Sequence, residues 1–127
     1  MYKELTICIL ILILVIGTNI ATEKYTEEAV KYMDEKLDKI EQNILKGDNE
    51  NNKELMEEVM EAWKEKKDIL EYYIEHDELE KVETEFNELK AKIEVEQYDE
   101  GLADIQKGIF ILNHIKEKYK LKIQNIF

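Results

Sequence analysis

The side chains that could do chemistry in this chain are few, and their spacing rules most of it out. His76 and His114 are the only imidazoles among 127 residues, Cys8 is the only thiol, and Ser, Arg and Pro do not occur. A hydrolase triad needs a Ser, Cys or Thr nucleophile beside a His base. Ser is missing, and Cys8 sits inside the apolar run ICILILILVI. One Cys also leaves no disulfide framework and no Cys-His zinc site within a single chain. The two His could share a metal across neighbouring helices, but the di-metal carboxylate pattern requires Glu-x-x-His. The residues three before them are Tyr73 and Ile111. His76 therefore reads as a turn residue, and His114 as a partly buried hydrogen-bonding residue beside Phe110.

Carboxylates are plentiful: 30 Asp and Glu against 18 Lys, a net charge of −12. An acid/base dyad needs surroundings that separate two pKa values, and nothing marks such a place around Glu57 and Glu58 or around Glu94 and Glu96. The stretch from Asp48 has the look of a calcium loop, yet Lys53 replaces the Gly at its sixth position and Val59 the bidentate Glu at its twelfth. Solvated helix faces account for the acids, many of which have Lys three or four residues on, as Glu50 with Lys53 and Asp77 with Lys81. So acidic a chain would be repelled by nucleic acid. No catalytic residue, cofactor or metal is expected.

The elements that must position any site begin with Leu5 to Ala21, LTICILILILVIGTNIA, which carries no charge. Its aliphatic side chains favour bilayer insertion by roughly 3 to 7 kcal/mol in total. At 1.5 Å per residue it is roughly 25 Å long, slightly short of a hydrocarbon core of about 30 Å. A cleaved signal peptide is the rival reading, but Asn19 stands where a small residue is wanted before a cut after Ala21. The expectation is a membrane anchor over residues 1–21, held by the bilayer through residues 5–21, and an acidic helical bundle over 22–127. The short tail before Lys3 favours the cytoplasmic membrane with the C-terminal domain outside.

Beyond the anchor, apolar residues recur at helical spacing. Val30, Met33, Leu37, Ile40 and Ile44 step by 3 and 4, as do Leu79, Val82, Phe86, Leu89 and Ile93. A second segment runs from Leu55 through Trp63 to Tyr73, interrupted by Lys66, and a last one from Leu102 to Tyr119. Gly47 with Asp48 predicts a left-handed helix end, and Asn51 with Glu54, Asp77 with Glu80, and Asp99 predict helix starts. The fold class is all-α: an N-terminal transmembrane helix followed by an up-and-down antiparallel bundle of three to four helices. With no breaker between Ala21 and Thr26, one helix from about Lys3 to Lys46 is expected, the others packing on its outer half.

The last segment is the most informative, because Phe110, Ile111 and His114 add a second stripe to its seam. Beyond Lys120 the alternation in LKIQNIF suggests an extended tail. Phe110, Ile111, His114, Leu121, Ile123 and Ile126 together form the candidate interaction face. Trp63, Tyr72 and Tyr73 read as core and turn packing.

Trp63, the His76-Asp77-Glu78-Leu79 turn, the run from Leu112 to Ile115 and the closing Asn125-Ile126 resemble an uncharacterised bacterial family catalogued as domain-of-unknown-function family 4363. The resemblance covers about the last two thirds of the chain. It implies a short single-anchor protein of Gram-positive spore-forming bacteria, often encoded beside a multi-pass membrane protein, with no catalytic residues assigned. The expected function is a non-enzymatic, membrane-anchored interaction or accessory module binding another membrane or envelope protein. Its heptad seams also suit self-association. An extracytoplasmic ligand- or metal-sensing helical domain is the alternative, weakened because such bundles normally return through a second membrane helix, which is not expected after Phe127.

Overall fold

The computed structural model describes the backbone of residues 1–126 and the side chains of residues 1–120. Four helices follow one another: α1 (Tyr2–Lys46), α2 (Asn52–Leu70), α3 (His76–Glu94) and α4 (Tyr98–Ile126). At 1.5 Å per residue, α1 is roughly 67 Å long. Only its second half is packed: the buried residues begin at Thr26 and continue through Ala29, Val30, Met33, Leu37, Ile40 and Ile44. This is the heptad seam, now facing the other three helices.

Polar contacts between helices record the register. Lys36 Nζ meets Glu58 at 2.7 Å and Asn43 donates to Asn52 at 3.1 Å, tying α1 to α2. Lys67 meets Glu83 at 2.9 Å between α2 and α3. Lys92 meets Asp104 at 2.6 Å and Lys118 meets Glu78 at 2.8 Å between α3 and α4. Gln106 donates to Glu41 at 2.6 Å and Asn113 to Asp34 at 2.8 Å, closing the ring from α4 to α1. For α1 with α2, α3 with α4 and α4 with α1 one number rises as the other falls, so these neighbours are antiparallel, and α2 must then run antiparallel to α3 as well. Among the described residues the diagonal pairs, α1 with α3 and α2 with α4, make no backbone contact. The result is an up-and-down four-helix ring.

Inside it, Trp63 of α2 meets Phe86 of α3 edge-on, with ring centroids 5.7 Å apart and planes at 84°, the arrangement that opposes a positive ring edge to a negative face. Gly108 of α4 faces Phe86 and Leu37 at ordinary contact distance. A Cβ there would lie 3.4 Å from Phe86 Cε1 and 3.8 Å from Leu37 Cδ1. Lys66 interrupts the α2 seam without entering the core, its ammonium lying 5.8 Å from the Tyr25 ring centre and 5.5 Å from that of Tyr32.

The helix ends only partly follow expectation. Gly47 does close α1 at φ 77°, with its N–H on Ile44 O at 3.1 Å and that of Asp48 on Asn43 O at 2.9 Å, the two-bond left-handed closure. Asn51 precedes α2 but its side chain makes no cap bond. The neighbouring amide does the polar work instead: buried Asn52 accepts from Asn43 and donates to Asn49 at 2.8 Å. Asp77 and Asp99 are corrected from caps to first-turn acids, because α3 begins at His76 and α4 at Tyr98. There they still oppose the positive end of the helix dipole. The expected extended tail is overturned too, since α4 stays helical through Ile126.

Candidate interaction face and membrane-length segment

The N-terminal half of α1 is long and apolar enough to cross a membrane, and none of its most apolar 18-residue window is buried within the protein. Leu10, Ile13 and Leu14 point away from the bundle at 60 to 70 % exposure. The hydroxyls in this segment satisfy themselves, Thr6 donating to Tyr2 O at 2.9 Å and Thr18 to Leu14 O at 2.8 Å. Such back-bonding inside a helix removes the need for water. Cys8 is exposed on the same apolar surface.

Where the apolar stretch ends, α1 meets the turn between α2 and α3. Tyr73 Oη lies 2.6 Å from Thr26 Oγ1 and donates to Thr22 O at 3.2 Å. Tyr119 of α4 stacks edge-on with Tyr73 at 6.2 Å and accepts from the Glu75 N–H at 2.9 Å. Burial is the main cause that raises the pKa of both phenols, opposed by the hydrogen bond with Thr26 at Tyr73 and by that with the Glu75 backbone at Tyr119.

On α4, the structure brings two residues of the candidate face together. Phe110 is 73 % exposed and stacks on His114, with ring centres 6.5 Å apart and planes at 12°. His114 is exposed, which corrects the expectation of a partly buried hydrogen-bonding residue. Its position one turn beyond Phe110, on the side away from Leu112 and Ile115, accounts for the difference. Ile111 is turned elsewhere: it packs against the core and lines an α3–α4 groove of about 580 Å³ with Asp77, Glu80, Lys81, Thr84 and Glu85. The side chains of Leu121, Ile123 and Ile126 lie outside the described residues.

The two His do not converge on one another's partners. His76 sits at the start of α3 beside Glu80 at 3.9 Å, and His114 sits on Phe110. A trio of carboxylates that the spacing did not single out contains neither of them: one oxygen each of Glu85, Glu88 and Asp104 lies within 4.8 Å of the others. Asp104 is 2 % exposed, and its charge is answered by Lys92 at 2.6 Å. Burial, and then the Glu88 charge, push the Glu85 carboxyl above its ordinary range, while Lys107 and Lys92 pull the other way. The signal for Asp104 was present in the sequence, since counting back by four from Leu112 through Gly108 reaches it. An acid at that point of a seam has to bring its own counter-ion inside.

The chain belongs to the family described as a domain of unknown function (DUF4363), whose model matches residues 20–126. The match takes in the whole packed bundle and leaves most of the apolar segment outside it. No curated protein and no solved structure matches the chain.

Proposed function

Starting from that membership, we propose that this protein is a membrane-anchored, non-enzymatic accessory module that binds another membrane or envelope protein through the outer face of α4. The observation that carries the reading is Phe110. A large aromatic ring held out of a well-packed bundle, stacked on a second exposed ring, is the composition of an interface anchor and not of a solvated helix face. The anchor in this reading is Leu5–Ala21, supported by its length, its apolarity and its freedom from packing. The bundle stands outside the cytoplasmic membrane, and the bilayer is its other partner.

Affinity purification from crosslinked membranes, with and without Phe110→Asp, tests the reading. At least one membrane or envelope protein should disappear from the variant's profile while the bundle stays folded. Identical profiles would refute it.

A further inference from the structure

We propose that the end of α2 and the turn that follows it, led by Ile69 and Tyr72, rest on the headgroup region of the bilayer as a second, peripheral membrane contact. The inference depends on Leu5–Ala21 spanning the membrane, and it adds a surface that neither the anchor nor the α4 face includes.

Height comes first. Tyr73 bonds to Thr22 O and Thr26 Oγ1 at 3.2 and 2.6 Å, so its turn lies beside α1 within about one helical turn, roughly 5.4 Å, of the last apolar residue, Ala21. The apolar segment is roughly 5 Å shorter than a typical hydrocarbon core. Matching the two brings the bilayer surface slightly past Ala21. The headgroup layer adds roughly 5 to 7 Å on each side, which covers about three to five further residues of α1. The turn therefore falls within that layer whenever α1 stands near the bilayer normal.

Chemistry comes second. The end of α2 and the turn bury Leu70 and Ile74 in the bundle, yet leave Tyr72 at 87 % exposure and Ile69 at 47 %. A ring with one polar end is the side chain that membrane–water interfaces favour. Nothing in the bundle's packing requires it there.

Charge comes third. Divided at the level of the Asp34–Asn113 contact, the described residues at the end near the apolar segment (22–33, 62–82 and 114–120) hold 11 acids and 9 Lys, while the far end (34–61 and 83–113) holds 18 acids and 7 Lys. Nearly all the net negative charge is carried away from the bilayer, and the end that would meet anionic headgroups is close to neutral. That distribution removes the repulsion which an evenly acidic bundle would meet at such a surface.

The test uses full-length Cys8→Ala protein carrying one new Cys, at Leu12→Cys, Tyr72→Cys or Asp48→Cys, labelled with an environment-sensitive fluorophore and reconstituted into phosphatidylcholine vesicles. Nitroxide lipids supply the quencher, in the acyl chain or at the headgroup. Asp48 belongs to the opposite end of the bundle, roughly 40 Å along α1 from Thr22. The expected result is strong acyl-chain quenching at position 12, and headgroup quenching at position 72 several-fold above that at position 48. Quenching at 12 with equal, weak quenching at 72 and 48 overturns the peripheral contact and leaves the anchor intact. No quenching at 12 removes the anchor and this inference together. Because the vesicles contain no other protein, a turn that instead needs a protein partner gives the second result.

Discussion

Two phenylalanines set the clearest quantitative test of how α4 is used. Phe86 is fully buried, in edge contact with Trp63 at 5.7 Å, and Phe86→Ala should cost about 3 to 5 kcal/mol in lost transfer energy and residual cavity. For a bundle of roughly 100 residues that lowers Tm by on the order of 15 to 30 °C. Phe110 is 73 % exposed, so of the roughly 200 Å² of a Phe side chain only about 50 Å² is covered, worth about 1.3 kcal/mol at most. The better helix propensity of Ala returns about 0.5 kcal/mol. Phe110→Ala should therefore change stability by less than about 1 kcal/mol. The assay is thermal and urea unfolding of the full-length protein in detergent micelles, read by Trp63 emission. Trp63 is the only Trp and is 2 % exposed, so it reports on the bundle even if the apolar half of α1 stays helical in the micelle. Equal losses from the two variants would show that the fold uses Phe110 as core, and the interaction reading would lose its central residue.

Three other outcomes follow from local geometry. Gly47→Ala should destabilise by about 1 kcal/mol, since Gly47 holds φ 77°, whereas Glu96→Gly should stabilise by a similar amount because Glu96 closes α3 at φ 62° with a side chain that disfavours it; chemical denaturation measures both. Lys92→Met should lower the unfolding midpoint by leaving the buried Asp104 carboxylate uncompensated, and adding Asp104→Leu should recover most of the loss; a double variant no better than the single one would show that the pair is not coupled. Burial raises the folded pKa of Glu85 above its ordinary 4.5, so its ionisation lowers stability as pH climbs from that value through the raised one. Glu85→Gln should therefore be the more stable form above that window and lose its advantage below it, as read from unfolding midpoints across a pH series.

The helices were legible because their seams are one-sided. Val30, Met33, Leu37, Ile40 and Ile44 all lie buried on α1, and Leu79, Val82, Phe86, Leu89 and Ile93 on α3, as a repeat of 3 and 4 demands when each helix has neighbours on one side only. The tail beyond Lys120 misled because Leu121 and Ile123 look like alternation. The same stretch also continues the α4 seam, Tyr119 to Ile123 to Ile126 stepping by 4 and 3, and helix propagation from an established end costs less than a change of conformation. Asn51 stands at the start of α2 as its spacing suggested but makes no side-chain cap bond, and Asp77 and Asp99 fall inside the first turns of α3 and α4, while the Asn52 amide bonds to the side chains of Asn43 and Asn49. The pairing of Lys36 with Glu58 or Lys118 with Glu78 was not legible. In a chain this rich in both charges, intrahelical partners look equally good until the register is known. For the candidate face, the pattern pointed to Phe110 and His114 but could not tell that Ile111, one residue on, turns into the α3 groove.

The way α1 passes from its unpacked apolar half to its packed half bears on how the bundle is held. Along its first part apolar side chains surround the helix; from Thr26 they keep to one stripe. The change is bridged by a ladder of hydroxyls: Thr18 donates to Leu14 O at 2.8 Å, Thr22 to Asn19 O at 3.0 Å and Thr26 to Thr22 O at 2.7 Å. Each turns a hydroxyl back on the helix, while the side-chain amide nitrogen of Asn19 beside them is buried with no hydrogen-bond partner among the described residues. The last rung is shared, because Thr22 O and Thr26 Oγ1 also hold Tyr73. The α2–α3 turn is thus fastened, at the place where a hinge would be most useful, to the same continuous helix that carries the apolar segment, with no Pro or Gly to kink it between Thr18 and Lys46.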